Sequence, residues 1–375
     1  MIDFRYHLVS LISVFLALAV GIVLGAGPLK ESIGDTLTGE VDALRQRAAD
    51  LRTELDGRSA ELADSQAAFE SVADDLLAGT LDERRVAIIT FGERDRGATS
   101  DVIARFEQSG ATVSARIRLT SEWVDPTRAT FRRTVGGTLV EYLSPAPAAD
   151  SGPITELAEA VVQAVSSSVP EDPNRLSENS AVLLQLLSES RLIEVDGEVT
   201  APADAVVVIA GGFDEDLADD GDATPDPEQR ADLEAEVDAW LSVTRELAFS
   251  ALLRTQGTVF AGHDTVGGGL LEQIRDGQDT AARISTVGQV QGLVGQVSVP
   301  LALAERISGA VGHYGTGASA TEPVPPRVEL APVVRVPQLP PGDPGQTDDG
   351  ADAGTGEADG ADPDGHTDPD ADQAG

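Results

Sequence analysis

Residues 8–27 (LVSLISVFLALAVGIVLGAG) are twenty consecutive uncharged residues near the start of the chain. At a rise of about 1.5 Å per residue, a helix of this length covers the hydrocarbon core of a bilayer, which is roughly 30 Å thick. The run is longer than the apolar core of a cleaved secretory signal, and Pro28 follows its small last residues, which disfavours cleavage there. The sequence therefore predicts an uncleaved transmembrane helix, with a cleaved signal as the alternative.

The charges beside this run predict its orientation. Arg5 and the terminal amine precede it, whereas Lys30 is followed at once by Glu31. The positive-inside tendency then places residues 1–7 in the cytoplasm and the rest of the chain outside it. We expect a single-pass protein of the cell membrane that contacts the lipid bilayer. An outer-membrane location stays open but is not favoured, because a long apolar helix is typical of the inner membrane.

Composition excludes several kinds of function. The net charge of −38 argues against nucleic acid as a partner, because phosphate binding needs clustered Lys and Arg. The chain has no cysteine, and its one methionine is Met1, so disulfides and thiolate metal sites are excluded. We predict no bound metal and no cofactor, because no histidine lies within four residues of another. The four histidines are His7, His263, His313 and His366.

A heptad pattern occupies residues 37–78. Ten of its twelve a and d positions are apolar, a repeat that predicts a coiled coil of several parallel helices. The alternative is an amphipathic helix that folds back on the globular part of the same chain. The a positions are Val41, Ala48, Leu55, Leu62, Phe69 and Leu76, and the d positions are Leu37, Leu44, Leu51, Arg58, Ser65 and Val72.

Small residues in the apolar run predict the same association. Ala17, Gly21 and Gly25 recur at every fourth position, which lets helix backbones approach each other closely in a membrane. Together with the heptads, this spacing favours a parallel homo-oligomer. The stalk would hold the globular part roughly 60 Å from the bilayer.

Residues 84–320 alternate between strand-like and helix-like segments. This alternation predicts a mostly parallel α/β (Rossmann-like) domain with helices on both faces of the sheet. The predicted strands are residues 85–91, 112–119, 205–209, 258–261 and 284–287. The predicted helices are residues 99–108, 154–167, 181–190, 227–254, 270–275 and 300–308.

The domain shows no established catalytic motif, so we predict that the protein is not an enzyme. The glycines at 267–269 lack the G-x-G-x-x-G spacing and a phosphate-binding lysine, and residues 214–222 (DEDLADDGD) resemble a calcium loop only in composition. Residues 321–375 are rich in proline and then acidic. From residue 341 they hold eleven acidic residues and no Lys or Arg, which predicts a disordered tail.

Several of these segments resemble one known family. They are residues 10–25 (SLISVFLALAVGIVLG), the heptads that follow, residues 284–287 (ISTV) and residues 311–317 (VGHYGTG). They resemble the actinobacterial copper transporter family, the family of mycobacterial copper transport protein B. The likeness covers most of residues 1–320. It implies a membrane protein of copper homeostasis, with a proposed channel through which copper leaves across the cell envelope.

The motif that carries the resemblance allows two interpretations. His313 could bind a metal or act as a pH-sensitive gate, because its charge changes near neutral pH. Alternatively, Gly312, Gly315 and Gly317 form a tight turn that His313 and Tyr314 lock by hydrogen bonds. Its role is open at this point.

Three hypotheses for the function follow. The first is a homo-oligomeric protein of copper efflux or homeostasis, with copper as the transported species. The second is a membrane-anchored coiled-coil scaffold that positions other envelope proteins and transports nothing. The third, an extracytoplasmic α/β enzyme, has no candidate nucleophile.

Overall fold

The computed structural model describes residues 4–26, 28–92, 96–211, 226–263, 269–317 and 319–337, without the side chains of residues 26, 28–38 and 96. The acidic run at 214–222, Gly267, Gly268, His366 and the acidic tail from 341 lie outside these ranges. The predictions made for them are therefore not addressed by the structure.

Two helices precede the globular domain. α1 spans Phe4–Ala26 and is the helix predicted from the apolar run. α2 spans Pro28–Leu77, so it begins nine residues before the first predicted heptad position. Proline suits the first position of a helix, because its missing N–H would have no partner within the helix. With 50 residues, α2 is about 75 Å long.

The domain is built on a seven-stranded, mostly parallel sheet, as the sequence predicted. The strand order is β5-β2-β1-β6-β7-β8-β9, and only β5 runs antiparallel to its neighbour. A separate hairpin is formed by β3 and β4. The strands are β1 (Arg85–Phe91), β2 (Thr112–Leu119), β3 (Ser168–Val169), β4 (Asp172–Leu176), β5 (Ile193–Val195), β6 (Ala205–Ala210), β7 (Thr258–Ala261), β8 (Ser285–Val287) and β9 (His313–Tyr314).

Helices cover both faces of this sheet. α3 and α10 pack on one face, and α4 to α8 pack on the other. Alternate residues of β1 therefore enter different cores: Val86 and Ile88 lie under α3 and α10, whereas Ala87 and Ile89 lie under α5 and α7. The helices are α3 (Arg96–Gln108), α4 (Ala129–Leu139), α5 (Pro153–Ser166), α6 (Glu178–Glu189), α7 (Pro227–Arg254), α8 (Leu270–Asp276), α9 (Gln278–Ala281) and α10 (Leu293–Ser308).

The path of the chain makes this a doubly wound sheet. From β1 the chain crosses through α3 to β2 on one side, and it later returns to β6 on the other side of β1. The parallel strands β2-β1-β6-β7-β8 thus follow the 2-1-3-4-5 order of the flavodoxin type, and β9 adds a sixth parallel strand at the edge. This order refines the broader Rossmann-like prediction. The carboxyl ends of β1 and β6 mark the point at which the winding reverses.

Two details differ from the sequence-based prediction. α10 begins at Leu293, two turns before the predicted start at Pro300, and the helix continues through this proline. Residues 321–337 were expected to belong to the tail, but the structure lays them along the domain, where Val324 and Leu330 pack against apolar clusters. The contacts of the domain therefore continue beyond residue 320, the predicted boundary.

Candidate functional site

The membrane-proximal part of α2 exposes an apolar seam. We use this name for Val41, Leu44, Leu51, Leu55 and Leu62, which occupy a and d positions. Their exposed fractions lie between 40% for Val41 and 65% for Leu55. Leaving a row of five large apolar side chains in water is unfavourable by roughly 25 cal/mol for each Å² of apolar surface. The seam is therefore a surface that a second helix could cover.

The last two turns of α2 are covered by the globular domain. Ala73 and Leu77 are fully buried against Val297 and Leu301 of α10. Phe69, a predicted a position, packs at the border of this cluster. This short end of α2 therefore packs on its own domain, as the alternative hypothesis expected for the whole helix.

An arginine from the extended segment 319–337 holds the end of α2 in place. The Arg327 guanidinium donates hydrogen bonds to the backbone carbonyls of Asp75 (2.6 Å), Leu76 (2.8 Å) and Ala78 (2.8 Å). The carbonyls at the end of a helix lack partners within the helix and carry partial negative charge, so a cation is favourable there. We call these contacts the Arg327 clamp.

The same segment is tied to the sheet by a second arginine. Arg335 forms an ion pair with Asp204, directly before β6, and donates to the Glu83 carbonyl at 2.8 Å. In return, Arg84 donates to the carbonyl of Ala331 at 2.9 Å. The segment therefore connects α2, the loop before β1 and the start of β6.

The glycine-rich motif forms β9 and the turn after it. His313 Nε2 lies 3.1 Å from the Ala281 carbonyl, which can only accept, so this nitrogen carries the proton. His313 Nδ1 lies 3.0 Å from Thr286 Oγ1, which itself accepts a hydrogen bond from Arg275 Nε at 2.9 Å. The Thr286 hydroxyl hydrogen is therefore directed at His313 Nδ1.

Both the burial of His313 and the positive charge of Arg275 lower the pKa of the imidazole, because each disfavours a second positive charge. The ring is thus neutral at pH 7, with a protein partner at each nitrogen. These are the contacts that the turn hypothesis describes for His313. The metal-ligand and gate hypotheses stay predictions.

Tyr314 is buried beside the motif glycines. Its hydroxyl donates to the Glu305 carboxylate on α10, and burial together with this hydrogen bond raises the pKa of the phenol. A side chain at Gly312 would overlap the Tyr314 ring, and Gly315 adopts a φ of 137°, which favours glycine. Gly317 accepts a hydrogen bond from Ala320 in the turn that follows. Packing therefore accounts for Gly312, and backbone conformation accounts for Gly315.

The predicted packing face of α1 is open. Ala17, Gly21 and Gly25 are exposed, and no atom lies within 4 Å of a Cβ placed on either glycine. The helical stretch from residue 4 to residue 25 is long and apolar enough to cross a membrane, and none of it is buried. The structure therefore leaves this face available to another helix in the bilayer.

The described residues contain no group of three or more His, Asp or Glu side chains arranged to hold a metal ion. His263, two residues after β7, accepts a hydrogen bond at Nδ1 from the Gln291 side-chain amide at 2.8 Å. His7 lies on α1 and His313 lies in β9, so the three histidines among the described residues are on separate elements.

In the part of the chain that the structure describes, these features define a class of protein: one helix of membrane-spanning length, a second long helix with an apolar seam, and a doubly wound α/β domain. Comparison with known proteins gives the family. A family model described as "Copper transport outer membrane protein, MctB" matches residues 1–325, and the chain belongs to this family.

The chain aligns with nearly the whole length of its named relatives. The chain is 31% identical over 346 residues to a protein of Mycobacterium tuberculosis named Copper transporter MctB, covering 85% of this chain and 98% of the relative. A protein of the same name from Mycobacterium leprae is 28% identical over 356 residues, covering 86% of this chain and 98% of the relative. The resemblance noted from residues 10–25 and 311–317 is thereby confirmed.

Proposed function

We propose that this chain is a membrane-anchored, homo-oligomeric protein of copper homeostasis that takes part in moving copper out across the cell envelope. The observation that carries the proposal is the family match over residues 1–325, together with relatives named as copper transporters. The exposed faces of α1 and α2 support the oligomer.

A single copy offers no enclosure for an ion in the membrane, because one helix surrounds nothing. If the protein conducts copper, several α1 helices have to pack together, or the α/β domains have to associate around a pore. The apolar seam supports the first arrangement, since parallel seams that pair would bring the α1 helices of several copies side by side. Glu40 and Arg45 lie at g and e positions, where they could form a pair between parallel helices.

The seam also limits how far the stalks can pair. The end of α2 is occupied by α10, and Ser65, the d position that follows Leu62, is polar. We therefore infer that helices pair from about residue 41 to residue 62 and separate before the domains. This length corresponds to roughly three heptads, or about 30 Å.

The chemistry of the side chains favours weak rather than tight copper contacts. Sites selective for copper use Cys, Met and His, whereas this chain has no Cys, one Met and four scattered His. Copper would accordingly pass as a transported species and not as a resident cofactor. We propose a pathway of low selectivity that depends on the oligomer.

We further propose that α1 anchors the protein in the inner membrane, with the domain outside the cytoplasm. The family description names the outer membrane, whereas a long apolar helix is typical of the inner one. Separating the two membranes on a density gradient and probing for the chain decides between them. Recovery with outer-membrane lipids would overturn this part of the proposal.

The function is tested by copper content and copper tolerance in a strain that lacks the gene. We expect the strain to accumulate copper and to grow poorly on it, and the intact gene to restore both. A gene carrying Leu44→Asp and Leu51→Asp should fail to restore them at equal protein level, because the seam is lost. Normal copper content in the deletion strain would contradict the proposal.

A second candidate is a scaffold that positions other envelope proteins. It is favoured by the length of α2, whose part before the packed end separates the domain from α1 by about 60 Å and by itself provides no pathway. Conductance of the purified oligomer in planar bilayers containing copper separates the two functions. A stepwise current that disappears when residues 41–62 are deleted supports a pore, whereas no current together with copper accumulation in the deletion strain supports an accessory role.

A further inference from the structure

A cleft of about 420 Å³ opens at the carboxyl ends of β1 and β2, between α3 and β5. The winding of the sheet reverses between β1 and β6, and β2 lies on the other side of β1. The cleft is therefore next to the point of reversal. Open α/β sheets bind ligands at such a point, because connections that leave on opposite faces open a crevice there. The volume is within the range of sites for small molecules.

The strand register brings basic and hydroxyl side chains to the floor of the cleft. Thr90 pairs with Arg118 and Ile88 pairs with Arg116 across β1 and β2. These four residues share one face, because residues two apart in a strand point to the same side. Thr99 and Ser100, in the first turns of α3, form one wall together with Ile103. The opposite wall is β5.

Each arginine is held by an acidic residue of β5 or the loop after it. Arg118 forms an ion pair with Glu194, and Arg116 Nε lies 3.5 Å from Asp196 Oδ2. The carboxylates are more exposed than the guanidiniums, at 58% against 34% for the first pair and 78% against 45% for the second. Ion pairs this exposed are weak, so another anion can compete with the carboxylates.

The guanidinium groups have further donors for such an anion. A guanidinium carries five N–H groups, and the ion pairs above use Nη2 of Arg118 and Nε of Arg116. Planar N–H groups of this kind bind carboxylates and phosphates in pairs. The less exposed arginines lie on the floor, where a bound molecule would sit, and the carboxylates lie at the rim.

Close contact between two glycines shapes the inner end of the cleft. Gly92, directly after β1, adopts a φ of 82°, and a side chain there would overlap the carbonyl of Gly211, directly after β6. Both positions line the cleft. Neither glycine contributes a side chain to this end, which lies next to the apolar side chain of Ile209.

We propose that this cleft binds a small molecule that carries a phosphate or carboxylate group beside an apolar part. Arg118 and Arg116 bind the anionic group, the hydroxyls of Thr90, Thr99 and Ser100 add hydrogen bonds, and the isoleucines contact the apolar part. The family description and the relatives' names give no role to this part of the domain. The site is independent of copper transport and of the oligomer.

The full-length protein in detergent can be titrated by calorimetry with three probes: phenyl phosphate, benzoate and benzyl alcohol. We expect saturable binding of phenyl phosphate or benzoate and none of uncharged benzyl alcohol. The anion that binds identifies the source of the negative charge. Arg118→Gln should weaken the binding at least tenfold, whereas Arg133→Gln, the same change at an exposed position on α4, should leave it unchanged.

A second variant guards against loss of binding through misfolding. Glu194→Gln removes the competing carboxylate from Arg118, so it should strengthen the binding severalfold, which a damaged fold could not do. The proposal is overturned if neither anion binds the intact protein. Equal affinity in the intact protein, Arg118→Gln and Glu194→Gln would overturn it as well.

Discussion

The two ends of α2 carry the same apolar pattern but have different surroundings. At the membrane-proximal end, Leu51 and Leu55 are 60% and 65% exposed, whereas Leu77 at the other end is fully buried against α10. A heptad pattern indicates that a helix has an apolar side, but it does not indicate which surface covers that side. In this protein one end is covered by its own domain, and the other end is exposed, where we propose that a second copy binds.

The largest expected effect follows from placing charges in the uncovered end. Leu44→Asp with Leu51→Asp puts two carboxylates where paired helices would exclude water, so we expect the oligomer to dissociate to single copies. Light scattering of the detergent-solubilised protein, corrected for bound detergent, measures the change. Gln46→Asp with Thr53→Asp, at outward f positions, is the matched control and should stay oligomeric. An unchanged mass for the Leu44 and Leu51 variant would show that the seam is not the interface.

The covered end should respond through stability instead. Leu77→Ala removes a fully buried side chain and should lower the free energy of unfolding of the domain by about 2–5 kcal/mol. Denaturant unfolding followed by the fluorescence of Trp123 and Trp240 measures this. Leu62→Ala, the same change at an exposed position, should cost less than about 0.5 kcal/mol in the domain. Equal losses for the two variants would contradict the division of α2 into two ends.

The Arg327 clamp should contribute less than Leu77. Arg327→Ala removes three hydrogen bonds from a cation to the carbonyls at the end of α2 and should cost about 1–3 kcal/mol. Hydrogen exchange should then become faster in residues 73–81 and stay unchanged in β6. Arg133→Ala is the control for loss of one positive charge. Faster exchange across the whole sheet would instead indicate general destabilisation.

The smallest expected effect is a dependence of stability on pH. Because the pKa of His313 is lowered in the folded protein, the unfolded chain takes up a proton first as the pH falls below its ordinary value of 6.5. Stability from this group is therefore complete above that pH and declines below it. The difference in Tm between pH 7.5 and pH 5.5 should shrink in His313→Gln. An unchanged difference would show that His313 does not contribute.

The central strands could be predicted from the sequence within a residue or two. β1 and β6 are runs of β-branched and apolar residues that are buried on both faces, and such runs are distinctive in the sequence. The prediction for α10 was too short, because proline is typical of the first turn of a helix. The structure places Pro300 inside α10. Short elements such as β5 were missed, since three residues carry no periodic pattern.

The functional surfaces were predicted unevenly. The apolar seam could be predicted from the heptads, because all its residues belong to one helix and repeat at a fixed spacing in the sequence. The cleft was not predicted, since Arg118 meets Glu194 only through pairing of strands that are 76 residues apart. The Arg327 clamp could not be predicted for a similar reason. The Pro-rich composition around Arg327 predicts a tail, and the contact joins it to a helix that is distant in the sequence.

The proposed oligomer depends above all on the seam joining parallel copies of the chain, and the absence of cysteine from the sequence allows a direct test. Single cysteines are placed in turn at positions 44 to 55, and disulfide formation is measured in native membranes under mild oxidation. We expect cross-linked dimers for Leu44→Cys, Ala48→Cys, Leu51→Cys and Leu55→Cys, with little for Gln46→Cys, Asp50→Cys and Thr53→Cys, because only parallel helices in register bring a residue to its own copy. Uniform cross-linking along the helix, or none at these four positions, would contradict it.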